Sequence, residues 1–106
     1  MLIIFLVFEM TLHTMSLTPN SELLESCARL ISDDDCLLLL GDGLYAAVIG
    51  SKCANIMDTI NCKIYALKED CDLAGLGNKI SKGVAIIDYG GFVSLSAEHE
   101  KHIPWD

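Results

Sequence analysis

Cations are scarce in this chain: seven Lys and Arg stand against 15 Asp and Glu over 106 residues, for a formal net charge of −8. Affinity for nucleic acid rests on clustered Lys and Arg tracking phosphates, so this balance works against direct binding of DNA or RNA. A basic protein partner, or a complex in which other chains supply the positive face, stays open. Cys-x-x-Cys pairs are absent although there are five cysteines, at positions 27, 36, 53, 62 and 71, and no histidine stands at zinc-site spacing from them. An odd count without paired spacing fits neither a disulfide framework nor a zinc site, and no cofactor is implied. Free thiols in this number point to a reducing, cytoplasmic setting. An apolar run long enough for a bilayer is also missing. Leu2 to Phe8 is unbroken, but it is far short of the roughly 20 residues a spanning helix needs, and no basic residue precedes it. It reads as neither signal nor anchor, and no membrane partner is expected. Residues 1 to 9 are set outside the fold as an apolar extension, with Met10 as an alternative start. The rival reading lets Ile3 to Phe8 lengthen the first strand.

What is present is apolar: 52% of the residues are hydrophobic, high for a chain with room for one domain. Either the core is unusually rich or another subunit covers some of the surface. The organising stretch runs from Asp35 to Gly50. Leu37 to Leu40 form a strand buried on both faces, and Gly41-Asp42-Gly43 makes the turn. Asp42 is positioned by sequence to cap the following amides, and Leu44 to Ile49 form a short helix. Before it, Thr11 to Met15 reads as a strand. Thr18-Pro19 then starts an amphipathic helix carrying Leu23, Leu24, Cys27, Leu30 and Ile31 at helical spacing. Asp33-Asp34-Asp35 reads as a solvated loop rather than a metal site. After it, Cys62 to Leu67 is a strand, Asp72 to Gly77 at most a short helix and Gly83 to Tyr89 another strand. Gly90-Gly91 breaks that strand before a closing helix from Phe92 to His99. The expectation is one α/β domain over residues 10 to 106. It would be a small, mainly parallel sheet of four to five strands with helices on both faces, its working edge at the strands' carboxyl ends.

Several of these stretches, taken in order, resemble the DsrH/TusB family of sulfur-relay subunits. They are Leu12-His13-Thr14, Leu37 to Ala47 with Gly41-Asp42-Gly43 and Tyr45-Ala46-Ala47, and Ile64-Tyr65-Ala66-Leu67 with Glu69-Asp70. Gly75-Leu76, Ile80-Ser81, Ile87-Asp88-Tyr89, Phe92-Val93-Ser94-Leu95 and Trp105 follow. The resemblance covers about residues 10 to 106. It implies a DsrEFH-like fold and a hetero-hexamer with DsrE/TusD-like and DsrF/TusC-like subunits, two copies of each, together with protein donors and acceptors of sulfur. In the Tus branch persulfide sulfur moves towards 2-thiolation of the tRNA wobble uridine; in the Dsr branch the complex serves sulfur oxidation. The principal sulfur-carrying cysteine belongs to the DsrE/TusD chain. The family's own cysteine, found in DsrH-type members, lies in the first helix, and Leu24-Glu25-Ser26-Cys27-Ala28 looks like that form. Cys27 is therefore the candidate persulfide carrier. Where many relatives have Ala-Arg-Gly-Leu, this chain has Ala74 in place of the arginine.

A relay thiol must be reachable and must ionise easily. Cys27 shares a helix face with leucines, the position of a small core hydrophobe. Cys53 beside Lys52 has the better local charge, Cys36 and Cys71 have acidic neighbours that oppose ionisation, and Cys62 reads as structural. His13 is expected as a buried, hydrogen-bonded histidine and Trp105 as an anchor for the tail. His99 and His102 fall in a polar tail without partner spacing. The leading function is an assembly subunit of a tRNA-thiolation relay, not catalytic alone. The alternatives are a sulfur-oxidation subunit, a thiol redox sensor, or an enzyme holding a nucleotide or flavin at Gly41-Asp42-Gly43, where the third glycine of the fingerprint is lacking.

Overall fold

The computed structural model describes residues 10 to 105; the apolar extension 1 to 9 lies outside the described residues. Five strands, β1 (Thr11–Met15), β2 (Cys36–Leu39), β3 (Lys63–Leu67), β4 (Val84–Ile87) and β5 (Lys101–Pro104), form one sheet in the order β4-β3-β2-β1-β5. Every pairing is parallel. The connections carry α1 (Ser21–Leu30), a 3-10 helix (Gly41–Ala47) followed by the single turn α2 (Ala54–Met57), α3 (Lys68–Ala74) and α4 (Tyr89–Glu98).

The first three crossovers step the chain from β1 to β4 in one direction, and the last carries it back to the far side of β1. Right-handed crossovers then place α4 on the face opposite the other helices. The two cores agree with this. Leu24 and Cys27 of α1 pack with Met15, Leu37, Leu39, Ile64 and Ala66 on one face. Leu95 and Phe92 of α4 pack with Leu12, Cys36 and Leu38 on the other. Sandwiched between, β2 is buried at all four positions, and each fully buried leucine contributes about 2 kcal/mol through loss of apolar surface.

Five details depart from the sequence reading. Asn20, not Thr18, caps α1: its side-chain oxygen accepts from the Leu23 amide at 2.8 Å, and Leu30 ends the helix 69% exposed. The segment after β2 is a 3-10 helix with no side-chain cap, so Asp42 does not serve the amides that follow it. Gly43 is pressed against β1 so closely that a Cβ there would lie 2.0 Å from the Met15 carbonyl oxygen. Gly90 and Gly91 do not break the chain; they lie in the first turn of α4, where Asp88 accepts from the Gly91 amide at 2.8 Å. The tail is a fifth strand rather than an irregular end. His99 and His102, which carry no partner spacing in the sequence, donate to α4 carbonyls, His99 Nδ1 to Leu95 at 2.7 Å and His102 Nε2 to Ser96 at 3.1 Å.

Candidate functional site

The thiols come first, because chemistry of this chain's own would need one of them. All five are free and buried. Cys27, the sequence candidate, is 0% exposed beneath α1, and burial pushes its thiol up to about 12. Cys62 lines a cavity of about 380 Å³ with Asp58, Ile60 and Val84, and its thiol is likewise pushed to about 12, by burial first and by Cys36, Asp35 and Cys27 second. Cys36 and Cys71 are raised as well. The acidic neighbours named from sequence contribute, but burial is the larger cause. A sulfane sulfur must be met by a thiolate, and in this conformation these four thiols are kept protonated inside the core. Cys53, beside Lys52, is also buried.

At the opposite end of the sheet from the Gly41 turn, the polar chemistry is structural. Asp35 closes the run of three aspartates but is not solvated; it is 6% exposed and lies one step before the Leu12–Cys36 pairing of β1 and β2. Its carboxylate accepts from the Thr11 amide at 3.0 Å, the Ser32 amide at 3.1 Å and His13 Nε2 at 2.8 Å. Burial alone would push this carboxyl up, but the hydrogen bonds from Thr11, His13 and Ser32 outweigh it and hold it below the ordinary value. On the other side of the ring, Trp105 Nε1 lies 2.9 Å from His13 Nδ1. An indole N–H can only donate, so Nδ1 is the acceptor and Nε2 carries the proton given to Asp35. The ring is held between two partners, accepting at Nδ1 and donating at Nε2. His13 is the buried, hydrogen-bonded histidine expected, and Trp105 is the tail's anchor. The role of Asp35 was not readable without the register that sets it beside His13.

The carboxyl ends of the strands carry a different surface. There the Gly41 amide donates to Asp70 at 2.7 Å, the Tyr89 amide to Glu69 at 3.2 Å and the Gly91 amide to Asp88. Amides that could have received a phosphate are occupied by the chain's own carboxylates, which favour such helix starts for the same electrostatic reason. The arrangement leaves little for a nucleotide or flavin. A shallow hollow of about 210 Å³ lies beside the turn, lined by Gly41, Asp42, Tyr45, Asp70, Leu73 and Ala74. Two large side chains of its lining face solvent, Leu73 at 87% exposed and Tyr45 at 46%, and Tyr89, whose amide donates to Glu69, is 60% exposed. Apolar side chains among carboxylates, on a chain of net charge −8, are what this end of the sheet presents to solvent. Among the described residues no helix is long and apolar enough to cross a membrane.

The comparisons with known proteins fit this geometry. Residues 18–102 match the family described as "DsrH like protein". Protein TusB of Escherichia coli (strain K12) is 38% identical over 94 residues, covering 89% of this chain and 99% of that protein. Protein TusB of Enterobacter sp. (strain 638) is 36% identical over the same length and coverage. Among solved structures, the ychN protein from E. coli superposes with a TM-score of 0.72 at 16% identity, covering 92% of this chain and 99% of that one. A protein of unknown function from Methanobacterium thermoautotrophicum, MTH1491, gives 0.71 at 16% identity, covering 90% and 96%. At these identities the solved structures speak for the fold alone. The family match spans most of the chain and the curated relatives align from end to end, so this chain belongs to the DsrH/TusB family of sulfur-relay subunits.

Proposed function

We propose that this chain is an assembly subunit of a cytoplasmic complex that passes persulfide sulfur towards 2-thiolation of the wobble uridine in tRNA. The observation that carries the reading is the alignment with TusB proteins, which runs over 94 residues and 99% of their length. Two structural features support an assembly role over catalysis by the chain alone. Every thiol is buried, and the exposed side chains at the strands' carboxyl ends are apolar and aromatic with acids between them. DsrE/TusD-like and DsrF/TusC-like subunits would cover that surface in a hetero-hexamer, one of them supplying the reactive cysteine, while separate proteins deliver and receive the sulfur.

Cys27 as a persulfide carrier belongs to this proposal only in a conformation where α1 parts from the sheet, because the closed one shields it completely. A sulfur-oxidation role is the second reading, favoured by the DsrH-like form of Leu24-Glu25-Ser26-Cys27-Ala28. One experiment separates them. Cells lacking the chain should lose 2-thiouridine from the tRNA nucleosides resolved by mass spectrometry, and the wild-type gene should restore it. Unchanged thiolation would overturn the tRNA reading. Trapping persulfides on the wild type and Cys27→Ser after loading from a donor then tests the cysteine: equal labelling removes Cys27 from the relay.

A further inference from the structure

The few cations of this chain are not evenly spread. Three of the seven, Lys52, Lys79 and Lys82, stand on the segments that bound the cavity lined by Cys62, where Asp58 is the one acid of the lining. All three are exposed, and the one lysine ion pair among the described residues is Lys68–Asp72, so none of the three has its charge matched within the chain. The wall they stand on is fixed. The Ile49 amide donates to the Lys79 carbonyl at 2.9 Å, the Ser81 amide donates to the Ala47 carbonyl at 2.8 Å, and Val48 bridges Ile80. The strap carrying Lys79 and Lys82 is thereby tied across the segment that follows β2. The space inside, about 380 Å³, is walled by Ala46, Ala47, Ile60, Ile64 and Val84, and Ile49 of the lining is 65% exposed.

A preformed apolar cavity with unmatched cations beside it suits an apolar group flanked by negative charge. On a chain of net charge −8 it is a local reversal of sign. The lining holds no aromatic ring on which a base could stack, which favours an acidic polypeptide over a nucleic-acid strand. We propose that this cavity is a docking socket for an acidic segment of another protein, which sets one large apolar side chain into the space and its neighbouring carboxylates on Lys52, Lys79 and Lys82. The socket lies beside the starts of β3 and β4, away from the strand ends where sister subunits would dock, and it stands or falls independently of the relay assembly.

The probe is a peptide, acetyl-Glu-Asp-Leu-Asp-Glu-amide, titrated into the full-length chain and followed by heteronuclear NMR. Saturable shifts at Gly50, Ala54 and Gly83 are expected below about 1 mM peptide, and binding should weaken on the order of tenfold between about 50 and 500 mM salt. Replacing the peptide's leucine by serine, or combining Lys79→Glu with Lys82→Glu in the chain, should each weaken it by about tenfold. Gly83→Leu keeps every charge and adds bulk to the lining, where a Cβ meets nothing within 4 Å. That variant should match the wild type by circular dichroism and lose the peptide. A wild-type chain with no saturable shift by about 1 mM overturns the proposal. So does binding indifferent to Gly83→Leu, to the lysine reversal or to the serine peptide, which leaves only unspecific attraction. Equal shifts from a thymidine oligonucleotide, or displacement of the peptide by self-association of the chain, name a different occupant and overturn it as well.

Discussion

Replacing Asp35 by Asn removes one negative charge and almost no volume, yet the hydrogen-bond pattern around it admits no easy substitute. Three donors converge on the carboxylate: the Thr11 amide, the Ser32 amide and His13 Nε2. An asparagine oxygen can still accept from Thr11, but its amide group then points donors at the other two. The His13 ring could escape by switching tautomer, which would set an Nδ1–H against the Trp105 indole N–H now 2.9 Å away. Donor meets donor at one end of the chain or the other. Hydrogen bonds to a buried charged group are each worth about 1.5–3 kcal/mol, so the expected loss is about 3 kcal/mol, enough to lower Tm by roughly 10–20 °C in a domain of this size. Urea unfolding at pH 7 reads it, and Trp105, the one tryptophan in the chain, reports the local change by fluorescence. The pH profile adds a second reading. The Asp35 carboxyl is held below its ordinary value in the fold, so its contribution is present above about pH 4 and is lost as the pH falls through the folded value. The variant should lack that part of the acid limb. A loss under about 1 kcal/mol with an unchanged acid limb would refute the network as a source of stability.

Other expectations follow from the same geometry. Gly43→Ala puts a Cβ 2.0 Å from the Met15 carbonyl oxygen, a backbone contact that cannot yield cheaply, so soluble expression or Tm should fall sharply, while Gly77→Ala, with nothing within 4 Å, should be near neutral. An aromatic disulfide reagent should find no rapidly reacting thiol in the native protein and five after denaturation, since all five are buried. The raised thiols of Cys27 and Cys62, at about 12, stabilise the fold below the unfolded thiol value near pH 8.5. That stability should be lost as the pH climbs from about 8.5 towards 12, a decline that Cys27→Ala should lessen. Trp105→Phe keeps most of the packing but removes the N–H given to His13, and the freed β5 should show faster amide exchange with a stability loss of about 1 kcal/mol.

Much of the fold was legible because burial writes itself into composition. β1 lies at Thr11–Met15, where the sequence reading placed it, and three of the four consecutive leucines lie in β2, covered on both faces. What escaped was set by contacts distant in sequence. β5, Lys-His-Ile-Pro, does not look like a strand, because an edge strand on the rim of the sheet is stabilised by its pairing with β1 rather than by burial of its own side chains. The glycine pair at 90 and 91 read as a break, whereas it starts a helix. A Cβ on Gly91 would crowd the Ile87 Cβ at 3.1 Å, so a small residue is used where α4 turns back on β4. Asp35 and Asp33 are indistinguishable by sequence; only the β1–β2 register makes one of them buried and paired. The same holds for the exposed surface at the strands' carboxyl ends. Leu73 and Tyr45 are ordinary apolar residues on paper, and it is their exposure next to Asp42 and Asp70 that marks them. Ala74, at the position where the family resemblance leads one to expect arginine, lines the hollow.

The central claim is that the chain works by association. The direct measurement is native mass spectrometry of the chain co-expressed with the DsrE/TusD-like and DsrF/TusC-like subunits proposed as its partners. A single stable complex containing two copies of each is the predicted spectrum, weakened when Tyr45 and Leu73 are both changed to Ser. A chain that flies alone, while the other two subunits assemble without it, would contradict the account.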